Sequence, residues 1–251
     1  MIGRSIGVAG VVLALGIAVG VSSAPAATSG RCPGGLPQGA EKRRLDPATF
    51  TTRITNPYWP MTPGRRWVYH ETDGTGRVAK VVVTVTNRTR VVGNGVTARV
   101  VTDVLTVGGR PGEVTEDWYA QDTAGNIWYL GEQTAEYAKG KLVSTEGSWE
   151  AGVGGAEPGI AVPAHPKPGI CYRQEYLAGE AEDRGAVLSV DEQVSVPAGH
   201  YAHAMLTRDT SGVEPGVAEY KLYARGVGPV FELTISGGSD RTELVRVSTA
   251  R

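Results

Sequence analysis

From about residue 50 onward, apolar and polar residues alternate with a period of two rather than 3.6. In VAKVVVTVTNRTRVV (78–92), Val81, Val83 and Val85 share one face, while Val82, Thr84 and Thr86 share the other, which predicts a β-strand. The runs VTARVVTDVLTV (96–107), EVTEDWYAQ (113–121) and NIWYLG (126–131) continue this chemistry in Val, Thr, Tyr and Trp. Gly, Asn and Asp punctuate them as turns. Asn94-Gly95 predicts a two-residue hairpin turn with positive φ at both positions, and Asp122 to Gly125 predicts a second turn. Only short stretches such as 132–141 have helical capacity. The pattern predicts an all-β chain of antiparallel sheets.

The same strand chemistry recurs. A shift of 104 residues lays VVGNG (91–95) on SVPAG (195–199) and PGEVTEDWYA (111–120) on PGVAEYKLYA (215–224). Nine of the thirty positions from 91 to 120 are identical at that one offset, among them Gly95, Pro111, Gly112, Tyr119 and Ala120. Ungapped agreement at turn glycines and at Tyr-Ala points to duplication of a β unit, against chance recurrence in a Gly- and Val-rich chain. The repeat predicts one unit over 50–143 and a second over 168–251. Between them, residues 144–167 hold enough Gly and Pro to preclude a regular element, and such a stretch is either a linker or a functional loop.

Ahead of the strands the composition changes. Arg4 precedes an uncharged apolar run from Ile6 to Val21, and Ala24-Pro25-Ala26 follows with the small-x-small pattern of a cleavage site. A run of about 16 apolar residues is short for a bilayer span, so residues 1–26 read as a removable signal peptide rather than a stable membrane anchor. Residues 27–49 read as a poorly ordered lead-in. Arg4 is the only charge lost on cleavage, taking the formal charge from −1 to −2. That balance argues against nucleic-acid binding, which needs a basic stripe. Cys32 and Cys171 are the only cysteines. Export favours a disulfide between them, with a Cys171 nucleophile served by His165 as the rival reading.

The stretches ITNPYWPMTPGRRWVY (54–69), DWYAQDTAGNIWYLGE (117–132), GSWEAG (147–152), QEYLAGEAED (174–183) and YARGVGPVFE (223–232) resemble a family of uncharacterised exported proteins common in high-GC actinobacteria. The Val-Pro-Ala-Gly and Gly-Val-Gly-Pro-Val patterns are also similar to envelope proteins with half-barrel folds, such as the lipoprotein-localisation factors. The resemblance implies a half-barrel-like sheet in the cell envelope. It implies no catalytic residue and no cofactor.

Candidate chemistry is sparse. Gly3-Arg4-Ser5-Ile6-Gly7 fits a nucleophile elbow but lies in the leader, and no metal, phosphate-loop or EF-hand spacing occurs. His200 and His203 are three apart, so a regular strand sends them to opposite faces. Carboxylates are the sharper enzyme idea. Glu116 or Asp117, with Glu180, Glu182 or Asp183, could flank a groove as acid and base on a glycosidic bond. Aromatics cluster in the first unit as Tyr58, Trp59, Trp118, Tyr119, Trp128 and Tyr129. One ring of each adjacent pair must face the core, and the others are either further packing or the lining of an apolar or sugar-binding concavity. The leading expectation is a non-enzymatic exported protein that binds a lipid or glycan component of the envelope. A secreted polysaccharide hydrolase or lyase and a structural or adhesive protein are the alternatives. The sequence leaves the ligand and the oligomeric state open.

Overall fold

The computed structural model describes residues 32–249 apart from Gly34. The apolar N-terminal run and its cleavage site lie outside the described residues. The strands are β1 (Phe50–Thr51), β2 (Arg65–Thr72), β3 (Val78–Val91), β4 (Thr97–Val107), β5 (Arg110–Asp122), β6 (Ile127–Ala138), β7 (Lys141–Ser144) and β8 (Trp149–Glu150). They continue as β9 (Glu157–Val162), β10 (Cys171–Arg173), β11 (Glu175–Tyr176), β12 (Asp183–Val196), β13 (Gly199–Ser211), β14 (Ala218–Ala224), β15 (Gly228–Ser236) and β16 (Arg241–Thr249). Among the described residues the helical content is one 3-10 turn, Pro47–Thr49, capped by Asp46. The chain is all-β.

Neighbouring strands run β10-β12-β13-β14-β15-β16-β2-β3-β4-β5-β6-β9-β11. The two ends of this path are consecutive pieces of one segment, 171–176. Its first half pairs with β12 and its second half with β9. Between them, the Gln174 N–H donates to the Asp183 carbonyl at 2.7 Å. The sheet thus comes round on itself as a nearly closed barrel, further than a half-barrel would. The first and last long strands are zipped together, with Thr72 facing Arg241 and Arg65 facing Thr249.

Within this barrel the hairpin β3–β4 pairs Lys80 with Thr106, Val81 with Leu105 and Val83 with Asp103. The hairpin β12–β13 pairs Arg184 with Thr210, Gly185 with Asp209 and Val187 with Thr207. These are the same positions 104 residues later. The following strands differ, since Val101 faces Asp117 but Met205 faces Tyr223 rather than Lys221.

Three expectations need correction. Residues 144–167 do form regular structure, because β8 pairs with β6, and β9 is a member of the barrel wall. The positive-φ glycines Gly152, Gly154 and Gly155 lie between these strands. Gly159, within β9, is where a Cβ would stand 2.3 Å from the Arg173 and Gln174 carbonyl oxygens, so glycine is required for close approach rather than for looseness. The stretch 132–141 is strand and turn, not helix. At Asn94-Gly95 only Gly95 (φ 85°) takes positive φ. That turn is the longer loop closed by Val92 and Val96.

The described part of the lead-in is a strap over the seam where the barrel closes. Arg173 donates through Nη1 to the Gly39 and Glu41 carbonyls at 2.7 Å each, and its own N–H donates to the Pro37 carbonyl at 2.7 Å. Gln38 Nε2 donates to the Cys171 carbonyl at 2.6 Å, and Glu157 accepts from the Arg43 N–H at 2.8 Å. Cys32 and Cys171 are disulfide-bonded with a Cα–Cα distance of 5.6 Å, so Cys171 carries no free thiol. The bond closes a loop spanning 139 residues, worth up to about 5 kcal/mol in the chain-entropy model. The double variant Cys32→Ser/Cys171→Ser should lose about 3 kcal/mol in urea unfolding. An unchanged urea midpoint would show that the strap holds without the bond.

Candidate functional site

The barrel interior is set by which alternate positions point inward. One continuous row of partners runs Val187, Thr207, Lys221, Glu232, Thr242, Glu71 and Ala79 across seven strands. Beside it run Gly185, Asp209, Glu219 and Thr234. On the other side of the barrel, Val85, Val101, Asp117 and Glu132 form a row, as do Val83, Asp103, Thr115 and Thr134. Among the described residues eight carboxyl residues are buried: Glu71, Asp103, Glu113, Asp117, Glu132, Glu175, Asp183 and Asp209. The buried cations among the described residues are Lys221 and Arg173, and Arg173 is committed to the strap and to the Pro158 carbonyl. Burying carboxyls on this scale is costly unless they are paired, hydrogen-bonded or protonated.

Lys221 shows how the interior accommodates an ammonium group. Its Nζ lies 3.4 Å from Asp209, 3.6 Å from Glu232 and 3.7 Å from Glu219. Burial opposes its charge, but Glu232, Asp209 and Glu219 outweigh burial and hold Lys221 above the ordinary lysine value. On the opposite wall the Tyr129 hydroxyl lies 2.9 Å from Asp117 Oδ1 and 2.8 Å from Glu132 Oε2. A phenol has one hydrogen to donate, so the second short contact requires a proton on one of the two carboxyls.

Glu175 stands between these groups. It is 0% exposed, and its carboxyl is pushed up to about 8, chiefly by burial and further by the Asp117 charge, with Trp149 and Lys221 acting in the opposite sense. The Trp149 indole N–H faces it from outside normal hydrogen-bond geometry. Asp183, 1% exposed, is raised well above the usual carboxylate range by burial and by Glu175. Glu232 is raised for the same first reason.

The carboxylates proposed from sequence divide cleanly. Asp117 and Asp183 enter the interior, and both interact with Glu175. Glu116 points outward to Arg88 at 2.7 Å. Glu180 is exposed on the turn between β11 and β12, and Glu182 braces that turn by accepting from the Gly179 N–H at 2.9 Å. No open groove lies between the two sequence groups. Their inner members share a buried interior instead.

The aromatics are likewise not a solvent-facing concavity, and that expectation is corrected: all six are less than 9% exposed. Trp59 rides on the loop that crosses one end of the barrel, where Asn56 and Pro57 bond to the turns at Gly125, Pro163 and Gly226. Its ring meets Tyr119 at 5.1 Å, and Tyr119 stacks on Tyr129 at 4.9 Å. Tyr58, on the same loop, lies beneath Arg225. Trp118 and Trp128 take the outer wall but are covered. Arg90 lies 4.1 Å over Trp118, and Phe50 meets Trp128 edge-on at 5.9 Å. The added layer of β1, and Arg90 anchored by Glu150 of β8, covers them.

His200 accepts or donates a hydrogen bond with Ser195 at 2.9 Å, and His203 pairs with Asp191. Among the described residues no three His, Cys, Asp or Glu side chains are grouped as metal ligands. Sequence reasoning missed Glu175, Glu132, Asp209, Lys221 and Glu232. The spacing of two in Glu113, Thr115 and Asp117, and in Glu219, Lys221 and Tyr223, was the available sign that a polar set faces inward.

Comparison with known proteins gives little to lean on. The chain matches no protein-family model and no curated protein. Among solved structures it is similar to a candidate lipoprotein of Parabacteroides distasonis, with a TM-score of 0.42 and 12% identity, over 76% of this chain and 98% of that one. A likeness that distant carries no argument about this chain's activity.

Proposed function

We propose that this chain is an exported, non-enzymatic envelope protein that holds a glycan-like ligand inside its barrel. The observation that carries the reading is the interior itself, where carboxyls and tyrosine hydroxyls from both halves of the chain converge around Glu175. Such a lining offers acceptors in excess of donors, so it suits a ligand rich in hydroxyl or amino hydrogens and disfavours an apolar lipid. Export is supported by the leader-like N-terminus and by the disulfide, which persists in oxidising compartments. The tandem register of the β3–β4 and β12–β13 hairpins supports two related units, each lending one wall of the site.

A hydrolase reading draws on one specific feature. Asp117 and Asp183 both interact with Glu175, and a carboxyl titrating near 8 can serve as a general acid at neutral pH. The test separates the two. The mature chain, recovered from the culture medium with its N-terminus near Ala27, is titrated by calorimetry with neutral cell-wall oligosaccharides and with envelope lipid extract. Binding of the oligosaccharide without cleavage supports the proposal. Binding of lipid alone overturns it, and cleavage that Glu175→Gln abolishes establishes the hydrolase.

A further inference from the structure

Beside Glu175 lies a set of buried oxygen acceptors that make no hydrogen bond. Gln174 is 0% exposed and is turned into the acidic group by its Nε2, which donates to Asp209 Oδ2 at 3.1 Å. Its carbonyl Oε1 makes no hydrogen bond, and neither do Asp183 Oδ1, Asp209 Oδ1 or the Thr207 hydroxyl, while Glu175 Oε1 and Oε2 have only the Trp149 indole N–H facing them from outside normal hydrogen-bond geometry. These atoms belong to the β10–β11 seam and to the neighbouring strands β12 and β13, so they gather where the barrel closes. A buried acceptor left without a donor is costly, and here several stand together. Lys221, a few ångströms away, demonstrates the group that satisfies such a nest, an ammonium shared among three carboxylates.

We infer that the ligand bears a protonated amine, held by Glu175, Asp183 and Gln174. The inference rests on the proposed binding role of the barrel and names the chemistry that role requires. An ammonium supplies three donors and one positive charge, which matches acceptors gathered on several sides better than a neutral hydroxyl does. A metal ion fits less well, because no compact set of three ligating side chains exists among the described residues. The turn 177–182, which joins the strand of Glu175 to Asp183, presents exposed Ala178, Gly179 and Glu180.

Binding carries a proton signature. The groups facing Glu175 are Asp117 on β5, Tyr129 on β6, Asp183 on β12 and Lys221 on β14, with Asp209 on β13 behind Asp183. An arriving ammonium favours the ionised carboxylate, so Glu175 releases its proton to solvent as the ion pair forms. Affinity for an amine that stays protonated therefore rises from pH 6 to pH 8.

The experiment is a calorimetric titration of the mature, oxidised protein with four probes: a glucosamine trisaccharide, its fully N-acetylated counterpart, cadaverine and calcium chloride. The expected result is that the free-amine sugar binds at least about tenfold tighter than the acetylated one, a difference of about 1.4 kcal/mol. Glu175→Gln and Asp183→Asn should erase that preference while the thermal transition stays cooperative, and cadaverine binding should release a proton. Equal binding of the two sugars overturns the amine and leaves the glycan reading standing. Binding of cadaverine without either sugar upholds the amine and overturns the glycan. Binding of calcium alone, or of none of the four, overturns the inference.

Discussion

Lys221→Met should destabilise the barrel by about 3–5 kcal/mol at neutral pH, the usual consequence of removing one member of a buried ion group. The methionine fills a similar volume, so the loss is electrostatic rather than a cavity effect. Asp209, Glu219 and Glu232 would be left facing one another with no cation within reach. The penalty should shrink as pH falls, because Glu232, already held high by burial, takes a proton and removes part of the repulsion. In the parent protein the lysine acts in the opposite sense. Its folded value lies above the ordinary 10.5, so its contribution is complete below that pH and is lost as pH rises through the folded value. Urea unfolding of both proteins between pH 5 and pH 9, where the lysine stays charged, checks whether the penalty shrinks toward acid. A variant as stable as the parent at pH 8 would mean that the three carboxyls are satisfied without Lys221.

Glu175→Gln should work in the other direction and stabilise the protein above neutrality. The carboxyl has an ordinary value of 4.5 and a folded value near 8. Below 4.5 it is protonated folded or unfolded and costs nothing. Between 4.5 and 8 the unfolded chain ionises while the folded one resists, and stability falls by about 1.4 kcal/mol for each pH unit crossed. Above 8 the cost is constant. Glutamine matches the shape and has no such cost, so the variant should exceed the parent by about 2–4 kcal/mol at pH 8, allowing for relaxation of the neighbours. At pH 4.5 the two should coincide. The unfolding midpoints of parent and variant across this range are the measurement, and a gap that widens toward acid would contradict the assignment.

The strands were legible because Val and Thr alternate with turn residues between them. Their inward set was not. In Thr115-Glu116-Asp117-Trp118-Tyr119, Asp117 and Tyr119 point inward while Glu116 and Trp118 point outward, so each face carries one acid and one aromatic ring. Hydropathy cannot choose between two such faces, and only the cross-strand partners decide. Trp118 also looked free to meet a ligand, because nothing in its own strand tells of Arg90 or of the β8 layer above it. Glu175 was hidden for another reason. It sits in a six-residue segment that changes partner at Gln174, too short to show any period. The connection 144–167 misled because Gly159 and Pro158 resemble linker residues, although one is there for close backbone approach and the other lies in the wall opposite Glu175.

The pairing of β16 with β2 bears on how the chain folds as it is made. The two strands begin 176 residues apart, and β16 is the last strand to be synthesised. Until then β2 and β3 can pair, but the outer rim of β2 stays open, a row of unsatisfied N–H and C=O groups that can recruit another chain. The strap cannot protect that rim, since its own partners at residues 171–176 are also made late. Contacts this distant in sequence form slowly. The interval between synthesis of residue 72 and arrival of residue 241 is therefore the period in which the open rim of β2 is exposed to capture by another chain.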